Sequence, residues 1–519
     1  MSKRKRTYFQ IPESVSIAAV ERWLRRTVKC EKTGSYRCRH TFLDSFDSRL
    51  YRAGMIVELE TTGDSSVIQR HSLTDGSVGP TLSVLCPPRF SGDFPPGALR
   101  RELRVLLDVR ALLPVAETSS QVEHFSIRDS HANEILRLII DIPATENNVD
   151  ISPTPVLYLD SEVSQERLHD EIAERIARQF TVHPDPLPLM ATAMQSAGYL
   201  PGDYTATFSI DLVSLMRADV ALRAILMRLF DIMRANEEGV RTNLDTEFLH
   251  DYRVAIRRTR SIVGHIKGVI PERRRVQLVK ELRWLGEITG PCRDLDVYLL
   301  NFSDLEALLP QDMRKHLEPL RIYLERHASL AHEQLVEQFR SERYQSIIDD
   351  WRQLLATMDF RKRPVRYADQ PIIKIARKTI WKSYKKVIRQ GQAIDDNSPP
   401  EALHSLRKSC KKLRYLLEAF HSLFPRKEMK WVLGQLKTLQ RLLGEYQDLH
   451  VHSITLRFFG REMHKEMEVN EMTDQTIEAL GCGFDEKQEV LRKEAMLNFS
   501  SFATINHYRR FRKLFKPDK

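Results

Sequence analysis

Apolar residues follow two different rhythms along this chain, and the change of rhythm near residue 210 divides it. In the first 160 residues the apolar runs are short and rich in β-branched and aromatic side chains, as at 8–11, 55–59, 67–72 and 135–142. Gly, Pro, Asp and Ser punctuate them, a pattern that predicts strands and turns. One helix is expected at 13–26, behind Pro12, and a second at 164–180, where Leu168, Ile172 and Ile176 stand four apart. Residues 181–205 carry four prolines and two glycines and read as the start of a linker running to 211. From 212 onward prolines thin out, and Leu and Ile recur at three and four residues over long stretches such as 313–357 and 372–390. That part is expected to be almost wholly helical.

The helical part repeats itself at a shift of 154 residues: LHDYRVAIRRTR at 249–260 returns as LHSLRKSCKKLR at 403–414. His250, Arg253, Arg260, Pro271, Leu282, Leu285, Gly290, Asp294 and Leu295 recur as His404, Arg407, Arg414, Pro425, Leu436, Leu439, Gly444, Asp448 and Leu449. Arg257, Arg258 and Arg283 become Lys411, Lys412 and Lys437. No gap is needed, so two copies of one helical unit are present, repeat one at about 212–357 and repeat two at about 366–511.

At 100° per residue, His250, Arg253, Arg257 and Arg260 fall within an arc of about 80°, flanked by Arg258, while Leu249, Tyr252, Ile256 and Val263 face the other way. His404, Arg407, Lys411 and Arg414 form the same arc in the second copy. Each helix therefore buries one stripe and presents a cationic one.

The chain has 80 Lys and Arg against 70 Asp and Glu, a net charge of +10, and the excess is uneven. Residues 1–210 hold 24 basic and 27 acidic groups, whereas 211–519 hold 56 and 43. A solvated face is the ordinary fate of such a stripe. An unneutralised stripe kept in both copies suits instead an extended polyanion, whose binding releases counterions and whose oxygens match the arginine fork. The helix 372–389 adds Lys374, Arg377, Lys378, Lys385 and Arg389, with Trp381 among them.

The paired histidines are either core or capping groups or face phosphate. No second His or carboxylate recurs beside them at metal-ligand spacing, so no metal is expected there. His250-Asp251 is similar to the HD dipeptide of metal phosphohydrolases, but repeat two reads His404-Ser405. Asp294 and Asp448 are expected at helix corners, behind Gly290-Pro291 in the first copy, as caps or as partners for a repeat arginine. The six cysteines are scattered without a CxxC pair, and no apolar run of transmembrane length occurs. A reducing, cytoplasmic location is the expectation.

Two motifs, His250-x-x-Arg253-x-x-x-Arg257-Arg258-x-Arg260 and Leu282-x-x-Leu285…Gly290-x-x-Arg293-Asp294-x-Asp296-Val297, together with their second copies, resemble the CHAD family over 212–519. The resemblance implies paired four-helix bundles related by a pseudo-two-fold axis, with a basic surface for inorganic polyphosphate and no catalysis. On that basis the polyphosphate-binding residues are His250, Arg253, Arg257, Arg258, Arg260, Arg283, His404, Arg407, Lys411, Lys412, Arg414 and Lys437. Association with polyphosphate granules would follow.

The stretch from His40 to Gly54, with Pro201-Gly202-Asp203-Tyr204 and Asn236-Glu237-Glu238-Gly239, is similar to the CYTH, or triphosphate-tunnel, family fused ahead of CHAD. It implies an antiparallel β-barrel over 1–180. The tunnel enzymes open with Glu-x-Glu-x-Lys, yet aligning on Phe9 and Pro12 puts Arg4, Arg6 and Tyr8 at those positions. The family's later Arg-x-Arg becomes Glu58-Leu59-Glu60. Metal-binding acids are replaced by cations and phosphate-binding cations by acids.

The expectation is thus an α+β multidomain protein: a degenerate tunnel-like barrel without catalytic residues or cofactor, then two helical repeats that bind polyphosphate. A tunnel-class triphosphatase or polyphosphatase and a nucleic-acid binder are the alternatives. Aromatics for base stacking are few on the repeat stripes, which favours a polyanion without bases.

Overall fold

The computed structural model describes residues 4–74, 76–79, 81–131, 133–144, 154–358 and 365–517. They form two compact units, 1–205 and 206–519.

Period-two alternation in the first unit builds an eight-stranded antiparallel sheet: β1 (Arg4–Gln10), β2 (Glu31–Asp44), β3 (Met55–Thr62), β4 (Ser65–Ser72), β5 (Leu82–Val84), β6 (Leu113–Arg128), β7 (Glu134–Pro143) and β8 (Val156–Glu162). Its strand order is β1-β8-β7-β6-β2-β3-β4-β5. The sheet curls, and Val78 makes isolated bridges to both Arg4 and His71, drawing β1 towards β4. Five helices accompany it: α1 (Ile17–Trp23), α2 (Arg49–Arg52), α3 (Ala98–Leu107), α4 (Glu166–Phe180) and α5 (Pro188–Ser196).

Alternation sorts the two faces. Phe9, Leu136, Leu138, Ile140, Leu157 and Leu159 on the outer face pack under Val20 and Leu24 and under Ile172 and Ile176 of α4. Tyr8, Phe42, Ile56 and Val156 on the inner face pack against Leu187, Leu189, Met190 and Met194. The proline-rich stretch 181–205 is therefore not a plain linker. It carries α5, with Pro188 in its first turn, where a missing N–H costs nothing. The expected helix at 13–26 is shorter, starting behind the Ser16 cap and ending in a π-turn over Leu24–Val28.

The second unit is helical throughout: α6 (Ala218–Arg241), α7 (Thr246–His265), α8 (Glu272–Ile288), α9 (Gly290–Leu300), α10 (Phe302–Ala307), α11 (Gln311–Arg314), α12 (Glu318–Arg340), α13 (Glu342–Thr357), α14 (Ile372–Gln392), α15 (Pro400–Ala419), α16 (Arg426–Met463), α17 (Glu471–Phe502) and α18 (Ile505–Phe515). The starts of α6, α7 and α8 recur 154 residues later as those of α14, α15 and α16.

The two copies pack on their own equivalents, α7 against α15 and α6 against α14. Ala218 N donates to Gln370 O and Ile372 N to Met216 O, both at 2.8 Å. Each bond is the other's image under the 154-residue exchange, the signature of a two-fold axis. Farther out, Leu295, Tyr298, Leu320 and Leu324 share one apolar core with Leu456, Ile477, Leu480 and Phe484. Burying this surface jointly ties the repeats into one body.

The corner expected at Gly290 and Gly444 differs between copies. Repeat one breaks at Thr289, with Pro291 in the first turn of α9, whereas α16 runs straight through Gly444. Glycine costs a helix about 1 kcal/mol and does not by itself end it. No described helix is long and apolar enough to cross a membrane.

Candidate functional site

The cationic stripes of α7 and α15 meet where those equivalent helices pack. A groove of about 720 Å³ is lined by His250, Arg257 and Arg258 from repeat one and by Lys411, Arg414 and Tyr415 from repeat two. The segment 206–209 and Glu418 line it as well.

Electrostatics show how tightly the cations are gathered. Burial, then Arg407 and Arg257, push the Lys411 ammonium down to about 8. Arg257 is its direct counterpart in the repeat register, so two symmetry-related cations repel across the axis. Burial and then Arg283 and Arg257 lower Arg260, and burial followed by Lys386, Lys408 and Arg260 lowers Lys412. Among the described residues Arg257 Nε is buried without a hydrogen-bond partner. Charged groups held this way cost stability unless a partner arrives.

The twelve residues singled out from the sequence divide into groups. His250, Arg257, Arg258, Lys411 and Arg414 line the groove. Arg253 is engaged within its own repeat, donating to Gly286 O at 2.9 Å and Thr289 Oγ1 at 2.7 Å. Burial and Arg257 push it down to about 10, so it remains charged at neutral pH. Arg407 pairs with Asp448 at 3.2 Å, the partner role expected for that aspartate. Arg260 and Lys412 are half-buried beyond the groove, and Arg283 and Lys437 are exposed.

The histidines hold matching places. His250 Nδ1 accepts from Arg293 at 3.2 Å, and His404 Nδ1 donates to Gln447 Oε1 at 2.5 Å. Residues 293 and 447 are themselves equivalent under the repeat. His250 thus braces α7 against α9 and His404 braces α15 against α16, and His250 also faces the groove.

Sequence reasoning missed the weight of Glu418. Its carboxylate pairs with Arg258 of repeat one at 3.1 Å and with Arg414 of repeat two at 2.6 Å. Removing that charge should release two guanidinium groups into the groove. Glu418→Gln is expected to tighten polyanion binding by about threefold to tenfold while lowering stability by about 1 kcal/mol, since a half-buried pair loses its acid. Titration calorimetry and thermal melts on the same variant check both signs.

The basic face expected on helix 372–389 opens, through Lys378, Lys385 and Arg389, onto a second groove of about 850 Å³ between α14 and the end of α7. Lys267, Lys378, Lys382, Lys385, Lys386 and Arg389 line it with Tyr367 and Tyr508. Among the described residues none of these six cations pairs with a carboxylate. His265, in the lining of this groove, is held down by burial and by Lys412, Lys386 and Lys382.

In the first unit, Arg6 and Tyr8 face inward and meet Glu58 and Glu60 around a cavity of about 20 Å³, closed by Leu187 and Leu189. Arg4 and Arg6 both reach Asp160, at 2.8 and 3.4 Å. The exchange of acids for cations noted in the sequence thus sets the cations of β1 against Asp160 of β8.

Residues 224–457 match the CHAD domain family. An uncharacterized protein of Mycobacterium tuberculosis is 28% identical over 207 residues, a match covering 38% of this chain and 38% of that protein's length. The CHAD domain from the plant Ricinus communis aligns with a TM-score of 0.47 at 22% identity, covering 56% of this chain and 95% of its own. A Hippeastrum protein described as having a dominant triphosphatase activity aligns with a TM-score of 0.27 at 10% identity, covering 39% of this chain and 100% of its own.

Proposed function

We propose that the helical unit binds inorganic polyphosphate in the groove shared by its two repeats, and that the N-terminal unit is not a catalyst. The observation that carries this reading is the convergence of Arg257 and Lys411, equivalent residues of two repeats, in one groove. Their mutual repulsion is relieved by a multivalent anion and by little else. The coupling of Arg260, Lys412 and Lys386 carries positive charge onward to the second groove, which suits a long ligand better than a compact one. Arginine forks match phosphate oxygens, and the CHAD resemblance points to the same ligand.

Against a tunnel triphosphatase stands the interior of the first unit. A cavity of about 20 Å³ accommodates one water or one ion, not a triphosphate. Tripolyphosphate incubated with the full chain and Mg²⁺ or Mn²⁺ should release no phosphate. Metal-dependent release abolished by Glu58→Gln would contradict this.

Competition between long-chain polyphosphate and DNA at matched ionic strength tests the ligand class. Polyphosphate is expected to win per phosphate, because the groove's cations outnumber its two rings, Phe208 and Tyr415, and Arg258 already lies over both. Equal competition per phosphate would favour the nucleic-acid reading.

The lowered Lys411 ammonium gives a pH signature. Its protonated form binds the anion, so affinity should fall as pH rises through about 8 in the free protein. Stability should move the other way. The folded value lies below the unfolded one, so the unfolded chain holds the extra proton between about 8 and 10.5 and stability rises across that window. Calorimetry and melts from pH 7 to 10 should show opposite slopes, and Lys411→Met should flatten both.

A further inference from the structure

The inner face of the first unit's sheet gathers titratable groups that the polyanion reading does not use. His40 on β2 pairs in register with Glu60 on β3, and Glu58 lies two residues along the same strand, hence on the same face. His40 Nδ1 meets Glu58 Oε1 at 2.7 Å. One ligand atom each from His40, Glu58 and Glu60 lies within 4.8 Å of the others. From the geometry we infer that these three side chains bind one divalent transition ion of the Zn²⁺ class.

A second ring of groups orients the three. Asp141 of β7 stands 3.0 Å from His40 Nε2, so it can keep the Nε2 proton while Nδ1, which meets Glu58 here, turns to the ion. His71 of β4 stands 2.6 Å from the other oxygen of Glu58, and Gln69 Nε2 donates to Glu60 Oε1 at 2.9 Å. A carboxylate behind a ligating histidine and a donor behind each ligating carboxylate is the usual outer ring of a metal site.

The polar groups there also exceed what their own hydrogen bonds satisfy. Both oxygens of Asp141 and the Nε2 atoms of His40 and His71 are buried with no well-aligned hydrogen-bond partner among the described residues. His40, Glu58, His71 and Asp141 are all more than nine-tenths buried. Three carboxylates in such a space need positive charge. His40 and His71 stand against Glu58 and Asp141, while Glu60 has no cation within ion-pair distance among the described residues and Arg6 reaches Asp160 instead.

Ligand chemistry selects the ion. An imidazole nitrogen with two carboxylates suits first-row transition ions, whereas Mg²⁺ keeps to oxygen and to its waters. The cavity has room for one ion, and Leu187 and Leu189 close it. The ion would therefore staple β2 to β3 and would not meet a substrate.

The test uses the full chain, stripped with a chelator and titrated with Co²⁺ and then Zn²⁺. One Co²⁺ per chain should give visible d–d absorption, displaced by Zn²⁺ and untouched by millimolar Mg²⁺. Glu60→Gln, at a half-buried position that should keep the fold, is expected to weaken binding by about tenfold or more, and Asp141→Asn by a similar factor through the outer ring. Circular dichroism confirms that each variant is folded. Absence of a Co²⁺ spectrum, or a spectrum unchanged in both variants, would overturn the proposal and leave the cluster as a proton-bridged network. Polyphosphate binding by the helical unit is read separately and does not depend on the outcome.

Discussion

Replacing Arg257 and Lys411 together by alanine should weaken polyphosphate binding by about 100-fold or more at physiological salt, taking about 1.5–3 kcal/mol for each charge-assisted contact. Either change alone should cost about tenfold or more, because each repeat supplies one half of the same groove. The slope of log affinity against log salt should fall by about 0.7 for each cation removed. Stability separates this loss from unfolding. Burial and like charge press on Lys411, so its removal should stabilise the fold at pH 7 by about 1–2 kcal/mol, after allowance for its partial exposure, and raise the melting temperature. A variant that binds poorly and melts higher has lost ligand contacts, not fold.

The second large effect concerns the scaffold that brings the stripes together. Gly239, near the end of α6, lies directly on the ring of Phe248 in α7, so that a Cβ there would overlap the ring. Gly391 in α14 stands in the same relation to Phe499 in α17. Phe248 and Phe499 are buried, and neither ring can swing into solvent. Gly239→Val should therefore destabilise the helical unit by about 3 kcal/mol or more, from overpacking that α6 and α7 must part to relieve. Chemical denaturation of the full chain, followed by helical circular dichroism, reads this loss. Gly264, whose Cβ would meet nothing, is the control: Gly264→Ala should cost no stability.

How much of this was legible in the sequence depends on whether the signal was periodic or spatial. The 154-residue repeat was fully legible, because helix starts and the His-Arg stripe both carry it, and α6 to α8 reappear as α14 to α16 in that register. The strands were legible as short β-branched and aromatic runs, but which face of each packs inward was not, since that depends on how the sheet curls. Helix α5 was hidden, since its prolines read as a break although Pro188 stands in a first turn.

Within the site, the stripes located the groove but could not divide its cations. Arg253 and Arg257 share one arc, yet Arg253 is bonded to the turn at Gly286 and Thr289 while Arg257 faces the other repeat. That difference arises from packing between α7 and α8, which no single-helix projection contains. Glu418 pairs with Arg258 across 160 residues of chain, a contact that local charge counting misses. The cluster at His40 is spread over four strands, so no local motif announces it.

The shared groove is tested most directly by the stoichiometry of binding. Calorimetry with polyphosphate of defined length should give one chain per protein for the unaltered chain. Variants carrying Arg253→Ala, Arg257→Ala and Arg260→Ala, or Arg407→Ala, Lys411→Ala and Arg414→Ala, should keep that stoichiometry and lose affinity and salt dependence alike, because one ligand bridges both repeats. Two chains per protein, with either triple variant retaining one of them at unchanged affinity and salt slope, would show two independent patches and contradict the shared groove.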